Sequence, residues 1–234
     1  MLSAEDPKLV ELTIFAEGQS EEQFVKRVVA PSLRDLRIFA KPQTLRTSQD
    51  SRGGGVTFDR LKFNARNTLR QNPNMVLTTF IDLYGLDTSF PAFEEAKTKL
   101  DVHARVSCLE AGLHAAIVSH ASCRSERFIP HIQPYEFEAL LFSDVTALCR
   151  TEPEWRKYSK PLSDICDYFP TPEHINDGYE TKPSKRLENI LRPTYKKTRH
   201  GPLAADQISL TVMETQCPHF HDWMKKLRSL VSVI

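Results

Sequence analysis

Glycine is scarce in this 234-residue chain, with eight residues where a usual share of ~7% gives about twice as many. Each one therefore marks a turn or a close approach: Gly18, Gly53-Gly54-Gly55, Gly85, Gly112, Gly178 and Gly201. Paired cysteines are also missing. Cys108, Cys123, Cys149, Cys166 and Cys217 are scattered, odd in number and without a CxxC, which argues against a disulfide framework and for free thiols in a reducing compartment. No apolar run approaches the ~20 residues that span a bilayer, and no basic-then-apolar leader opens the chain, so a soluble cytoplasmic protein is expected. Neither sign of charge dominates: 31 Lys and Arg balance 30 Asp and Glu, which excludes a strongly basic nucleic-acid coat. The triple glycine lacks a following GK[ST], no GxSxG occurs, and no cysteine sits in a catalytic signature. Nucleotide triphosphate hydrolysis on a P-loop and serine or cysteine hydrolase chemistry are disfavoured accordingly.

What is present is ordinary apolar content, 40% of residues, on a chain long enough to bury a core without metal or disulfide staples. Val10, Leu12, Ile14 and Ala16 alternate with Glu11, Thr13 and Phe15, the period of a strand. It ends at Glu17-Gly18. Ser20 with Gln23 forms a capping-box pattern before Phe24, Val25, Val28 and Val29 recur at helical spacing, and Pro31 sets the expected limit of that helix. A short strand is expected near Arg37 to Ala40, a mobile loop from Gln43 to Gly55 and a helix from Phe58 to Leu69. Met75 to Ile81 is almost continuously apolar, as in a central strand covered on both faces, and it closes on Asp82. A mostly helical stretch follows from Ala92 to Ser119 with a break near Leu100, then a strand from Phe128 to Ile132 cut by Pro130. Beyond Phe142 the pattern is helices and proline-rich loops. Strands alternating with helices predict an α/β fold with a mostly parallel sheet, placed in residues 1–145, and a mainly helical, basic extension over 146–234 packed on it.

Glu17 and Asp82 each close a predicted strand, with a glycine shortly after. In an open parallel sheet the carboxyl ends of the strands are where ligands collect. Two carboxylates meeting there repel, raise one another's pKa and invite a hard divalent cation, Mg²⁺ or Mn²⁺ rather than zinc. Each residue also has a plainer reading, a helix first-turn acid or a strand-end turn residue. Tyr135-Glu136-Phe137-Glu138 brings further acid to the same sheet end. Extended, it points Glu136 and Glu138 the same way; with Glu138 opening a helix, only one of them faces the site. The complement is a basic run: Lys182, Lys185, Arg186, Arg192, Lys196, Lys197 and Arg199 surround Tyr195, with His200-Gly201 closing it. Such a run is commonly a solvated helix face. Beside a carboxylate cluster it reads as phosphate clamps with an aromatic to stack on a base. Cys217-Pro218-His219-Phe220-His221 has ligand types but no second half at zinc-site spacing, so Phe220 and Trp223 read there as core anchors.

At these residues a resemblance appears. The strand–Glu-Gly–helix opening AEGQSEEQF and the strand-end aspartate of FIDLYGL look like a Toprim domain, the metal-binding fold of topoisomerases, DnaG-type primases and the nucleases associated with old-family ATPases. More closely, AEGQSEEQF, FIDLYGLDTSFP, RFIPHIQPYEFEALLFSD, EHINDGYETKPSKRL, YKKTRHG and CPHFHDW resemble the Toprim-like family catalogued as domain of unknown function 4276. The resemblance implies that Glu17 matches the Toprim glutamate, which doubles as general acid/base, and Asp82 the first aspartate of its DxD pair. Tyr84 stands at the second position, so Glu136 or Glu138, or less well Asp87, is expected to complete the ligand set. Lys185, Arg186 and Lys197 fall in family-like segments, as expected of phosphate contacts. The resemblance further implies an ATPase partner and a role in defence against phage.

The expected function is thus a metal-dependent nuclease. Glu17, Asp82, Glu136 and Glu138 hold Mg²⁺ or Mn²⁺, Lys185 and Lys197 join the catalysis, and Lys182, Arg186, Lys196, Arg199 and His200 help bind RNA or DNA. Its rival is a non-catalytic nucleic-acid-binding or regulatory subunit of an ATPase complex, in which the acids are residual. A third reading, phosphoryl transfer on a small nucleotide, is disfavoured by the basic run.

Overall fold

The computed structural model describes residues 9–45, 56–176 and 178–233. Three long strands build the sheet: β1 (Val10–Ala16), β2 (Ile38–Thr44) and β3 (Val76–Asp82). Two short ones, β4 (Phe128–Ile129) and β5 (Ile132–Gln133), flank Pro130, which has no N–H to give the ladder. The order is β2-β1-β3-β4, with β5 also on β3, and every pairing is parallel. Leu12 lies opposite Val76 and Ala16 opposite Phe80, so Glu17 follows its strand out beside Asp82. All strands therefore open their carboxyl ends on one side.

Every residue of β3 is buried, as its continuous apolar run predicts. On one face Leu12, Ile14, Val76 and Phe80 share a core with Phe24, Phe137, Phe220 and Trp223. On the other Phe15, Leu77 and Ile81 pack with residues of α3 (Phe58–Gln71) and α5 (Val102–Ala121). The first of these faces is covered largely by the chain beyond residue 136. A 3₁₀ segment (Phe137–Asp144) leads into α6 (Val145–Leu148), α7 (Ser159–Cys166), α8 (Pro183–Ile190), α9 (Lys197–Gln207), α10 (Leu210–Gln216) and α11 (Pro218–Arg228). Among the described residues no strand follows β5, as the sequence pattern leads one to expect.

Three local expectations are corrected. The first helix runs through Pro31: α1 (Gln19–Phe24) widens into a π turn (Val25–Val29) before α2 (Ala30–Leu33), which reroutes the hydrogen bonds that proline cannot make. Ser20 is no cap, because Gly18 takes that position in extended conformation and no side chain caps the helix. The second strand reaches Thr44, beyond Ala40, because parallel pairing with β1 continues along its whole length. The break in the long helical stretch falls where expected, between α4 (Phe93–Lys97) and α5, with Asp101 accepting the N–H of Ala104 as its cap. Most of the expected Gln43–Gly55 loop, with its triple glycine, lies outside the described residues, while Gln43 and Thr44 belong to β2.

Candidate metal site at the carboxyl edge of the sheet

Four carboxylates from separate turns of the chain converge where β1 and β3 end. Glu17 leaves β1 and accepts the N–H of Asp82 at 3.1 Å, which ties the two strand ends together. Gly85 packs so tightly on it that a Cβ there would lie 2.6 Å from Glu17 Oε1; no other residue type fits without moving the carboxylate. Asp82 is 4% exposed, its Oδ1 accepting the N–H of Phe137 at 2.9 Å. Glu21, one turn into α1, is buried on the same side, whereas Glu22 turns outward to Lys26 and to the Thr44 hydroxyl.

The fourth acid depends on strained backbone. Tyr135 has φ 57°, a left-handed conformation that a bulky side chain resists, and its carbonyl accepts the Tyr84 N–H at 3.1 Å. The chain turns there, Glu136 is extended, and the 3₁₀ segment starts at Phe137. Glu138 then points into the cluster, fully buried, and accepts from the Tyr195 hydroxyl at 3.1 Å. Glu136 stands one layer further out, held by Lys182 at 2.6 Å and the Ser184 N–H at 3.0 Å.

Lys197, the first residue of α9, places its ammonium among the acids: 3.2 Å from Glu21, 3.2 Å from Asp82 and 3.3 Å from Glu138. One ammonium cannot neutralise four carboxylates. Burial, with the neighbouring charges, raises the pKa of Glu17, and it raises that of Asp82 strongly despite Lys197. Burial pushes Glu138 up to about 7, with Lys197 opposing and Glu136 and Glu21 adding to the rise. For Lys197 burial works against the charged form, but Glu138, Asp82 and Glu21 overcome it and raise its pKa well above the usual value. Glu136 alone is lowered: burial raises it, but Lys182 and Ser184 outweigh that. Glu21 Oε1 and Glu138 Oε2 have no hydrogen-bond partner among the described residues, only the Lys197 ammonium near them. These are buried carboxylate oxygens in excess of their donors, the oxygen chemistry that a hard cation takes.

The remaining basic residues disperse. Lys185 pairs with Glu188 on α8, and Arg186 bonds the Thr181 carbonyl and lies 5.4 Å from the Phe169 ring centre. Lys196 is exposed, Arg199 pairs with Glu152, and His200 is buried edge-on to Trp155, accepting the Lys196 N–H. Tyr195 is a correction: it is 2% exposed and spends its hydroxyl on Glu138, so it has no face to offer a base. Asp87 accepts within its own turn, from the Ser89 N–H, away from the cluster. Glu21 escaped the sequence reading: Glu17 lies before the Gly18 cap, outside α1, so no helical period links the two acids.

A second group also needs the tertiary structure to be seen. Glu110 of α5, His131 before β5 and His219 of α11 bring ligand-type atoms within 4.8 Å of one another, a group able to hold a metal ion. The second half that the Cys217–His221 stretch lacks in sequence is thus supplied from elsewhere in the fold. As it stands, Glu110 accepts from the Ile132 N–H and pairs with His219 Nε2, both at 2.8 Å. His131 stacks on Trp223 and on Phe80.

Together these features define an α/β protein with a mostly parallel sheet and a buried carboxylate cluster at its carboxyl edge. The chain belongs to the family described as domain of unknown function (DUF4276), whose match covers residues 16–228. No curated protein matches it. Among solved structures it is similar to the C-terminal region of the Xanthomonas campestris pv. campestris OLD protein, at 14% identity and a TM-score of 0.43, over 96% of this chain and 95% of that one. Among the described residues, no helix is long and apolar enough to cross a membrane.

Proposed function

We propose that this protein is a Mg²⁺- or Mn²⁺-dependent phosphodiesterase acting on nucleic acid. The observation that carries the proposal is the convergence on one sheet edge of Glu21, Asp82 and Glu138 around the Lys197 ammonium, with Glu17 beside them on the Asp82 N–H. These carboxylates would hold the ion, with Glu136 behind them. A bound divalent ion supplies charge that polarises a phosphate oxygen and lowers the pKa of water. Lys197 stabilises the charge gathering on the phosphate, and Glu17, with its raised pKa, exchanges the proton. Lys182, Lys185, Arg186, Lys196 and Arg199 attract the polyanion over a wider face. In this reading residues 1–145 supply the acids, and the helical extension over 146–234 supplies the cations and covers the sheet. The Toprim resemblance supports the chemistry, and an ATPase partner that releases the activity, together with a defence role in the cytoplasm, belongs to the same proposal.

Two observations favour the rival, a non-catalytic nucleic-acid-binding or regulatory subunit. Lys197 already sits where a metal would neutralise the acids, and Tyr84 replaces a carboxylate. Calorimetric titration of Mn²⁺ into the wild type, Asp82→Asn and Glu138→Gln separates the two. The enzyme binds Mn²⁺ and both variants lose most of that affinity while remaining folded by circular dichroism. A folded wild type that takes up no Mn²⁺, with or without nucleic acid, sinks the proposal.

A further inference from the structure

Immediately outside the carboxylates, two exposed aromatic rings flank the mostly buried side chain of Lys182. Tyr84, two residues beyond Asp82, is 38% exposed and Tyr179 is 65% exposed, although both carry large apolar rings. Lys182 stands over both, its ammonium 5.3 Å from the centre of the Tyr84 ring and 5.1 Å from that of Tyr179. The same ammonium pairs with Glu136, so the aromatic rim is joined to the acid cluster through one side chain. Tyr84 is held rather than loose. Its hydroxyl donates to Asn176 Oδ1 at 2.7 Å, its N–H donates to the strained Tyr135, and the two rings lie 5.9 Å apart. The next residue is Gly85, packed on Glu17, so the Tyr84 backbone runs along the wall of the site.

We infer that Tyr84 and Tyr179, with Lys182 between them, form the face on which bases of a single-stranded nucleic acid stack as its backbone enters the carboxylate site. The inference rests on the proposed phosphodiester chemistry and narrows its substrate. Stacking on a side chain requires a base whose face is free. Bases inside a duplex have none to offer, whereas an unpaired strand presents one at every nucleotide. Lys182, already paired with Glu136, braces the two rings, and the rings serve the bases. The tyrosine at the second position of the Toprim-like pair then has a use of its own, as a substrate contact where the related motif has a metal ligand.

The test is fluorescence anisotropy of labelled 12-nucleotide single strands, DNA and RNA in separate arms, against a duplex of the same length, in chelator at fixed salt. The wild type binds both single strands more tightly than the duplex. Tyr84→Ala with Tyr179→Ala loses about tenfold or more in single-strand affinity with little change for the duplex, while the two Phe replacements keep it. Equal affinity for single strand and duplex, an unchanged double Ala variant, or no binding by the wild type overturns the inference. Preference for one arm names the sugar without altering it. Thermal unfolding verifies that each variant is folded, and Mn²⁺ titration of the same samples reports the metal site separately. Failure of the rim with Mn²⁺ binding intact is thereby distinguished from failure of the proposed function itself.

Discussion

Lys197 is the residue on which the charge balance of the site turns. The Lys197 side chain is 37% exposed, so removing it leaves the buried acids uncompensated at a cost that solvent screens below the ~3–5 kcal/mol of a fully buried pair. Lys197→Met is therefore expected to lower the melting temperature at pH 7 steeply, and millimolar Mn²⁺ to restore much of the loss. A melting temperature unmoved by the substitution would mean that the acids are already protonated or solvated. Glu138 gives the companion prediction. Its folded pKa of about 7 lies above the usual carboxyl value of 4.5, so the folded protein binds this proton more tightly than the unfolded chain does. The resulting stability is complete below pH 4.5 and is lost as pH rises through about 7. The range is worth up to about 3 kcal/mol, reduced by whatever the coupled acids share. Glu138→Gln should flatten that part of the metal-free stability–pH curve, measured by urea unfolding at stepped pH, while keeping an acceptor for Tyr195. Glu17 and Asp82 were legible in the sequence because strand ends show in hydrophobic periodicity. Glu21 and the inward turn of Tyr195 were not legible at all.

The pairing of α11 with α5 belongs to the scale of the element. His219 at the start of α11 meets Glu110 of α5, while Trp223 one turn later donates to Thr78 in β3 at 2.8 Å. Burial lowers the His219 pKa, but the contact with Glu110 outweighs it and the net direction is upward. This group therefore contributes stability that is complete below pH 6.5 and disappears as pH rises through its folded pKa. The expected slope begins at about pH 6.5, and His219→Gln should remove it without touching the limb below that. The identical curve in both proteins would show that His219 exchanges no proton on unfolding. Arg127 plays a comparable part for α3, its guanidinium bonded to the carbonyls of Leu69, Asn72 and Met75, which satisfies acceptors at that helix end. Helices such as α3 and α5 follow directly from their periodicity. The π turn before Pro31 does not, because one residue of extra width leaves no mark on a 3.6-residue apolar period.

At the scale of the whole molecule, one face of the sheet is shared property. Phe24, Phe80 and Phe137 meet Phe220 and Trp223 in a single aromatic cluster, with neighbouring centroids 5.0–6.5 Å apart. A chain ending at residue 145 would expose that apolar face to water. Residues 1–145 expressed alone are therefore expected to lack a cooperative thermal transition and to bind a hydrophobic dye, whereas the full chain unfolds in one step. A cooperative transition in the fragment would show that the remaining packing suffices and that the helical part is an independent addition.

Alternation in β1 and the continuous apolar run of β3 were enough, from sequence alone, to place both strands in a parallel sheet with an acid at each carboxyl end. Local chemistry governs those features: side-chain period, proline's missing N–H, and the turn after each strand. Other features depended on contacts between residues far apart in the chain. Lys197 reaches Asp82 across 115 positions and His219 reaches Glu110 across 109, and no periodicity records such a meeting. Which of seven cations in one basic run enters the acid cluster was decided by where α9 packs on α1, since only the first residue of α9 can deliver its ammonium there.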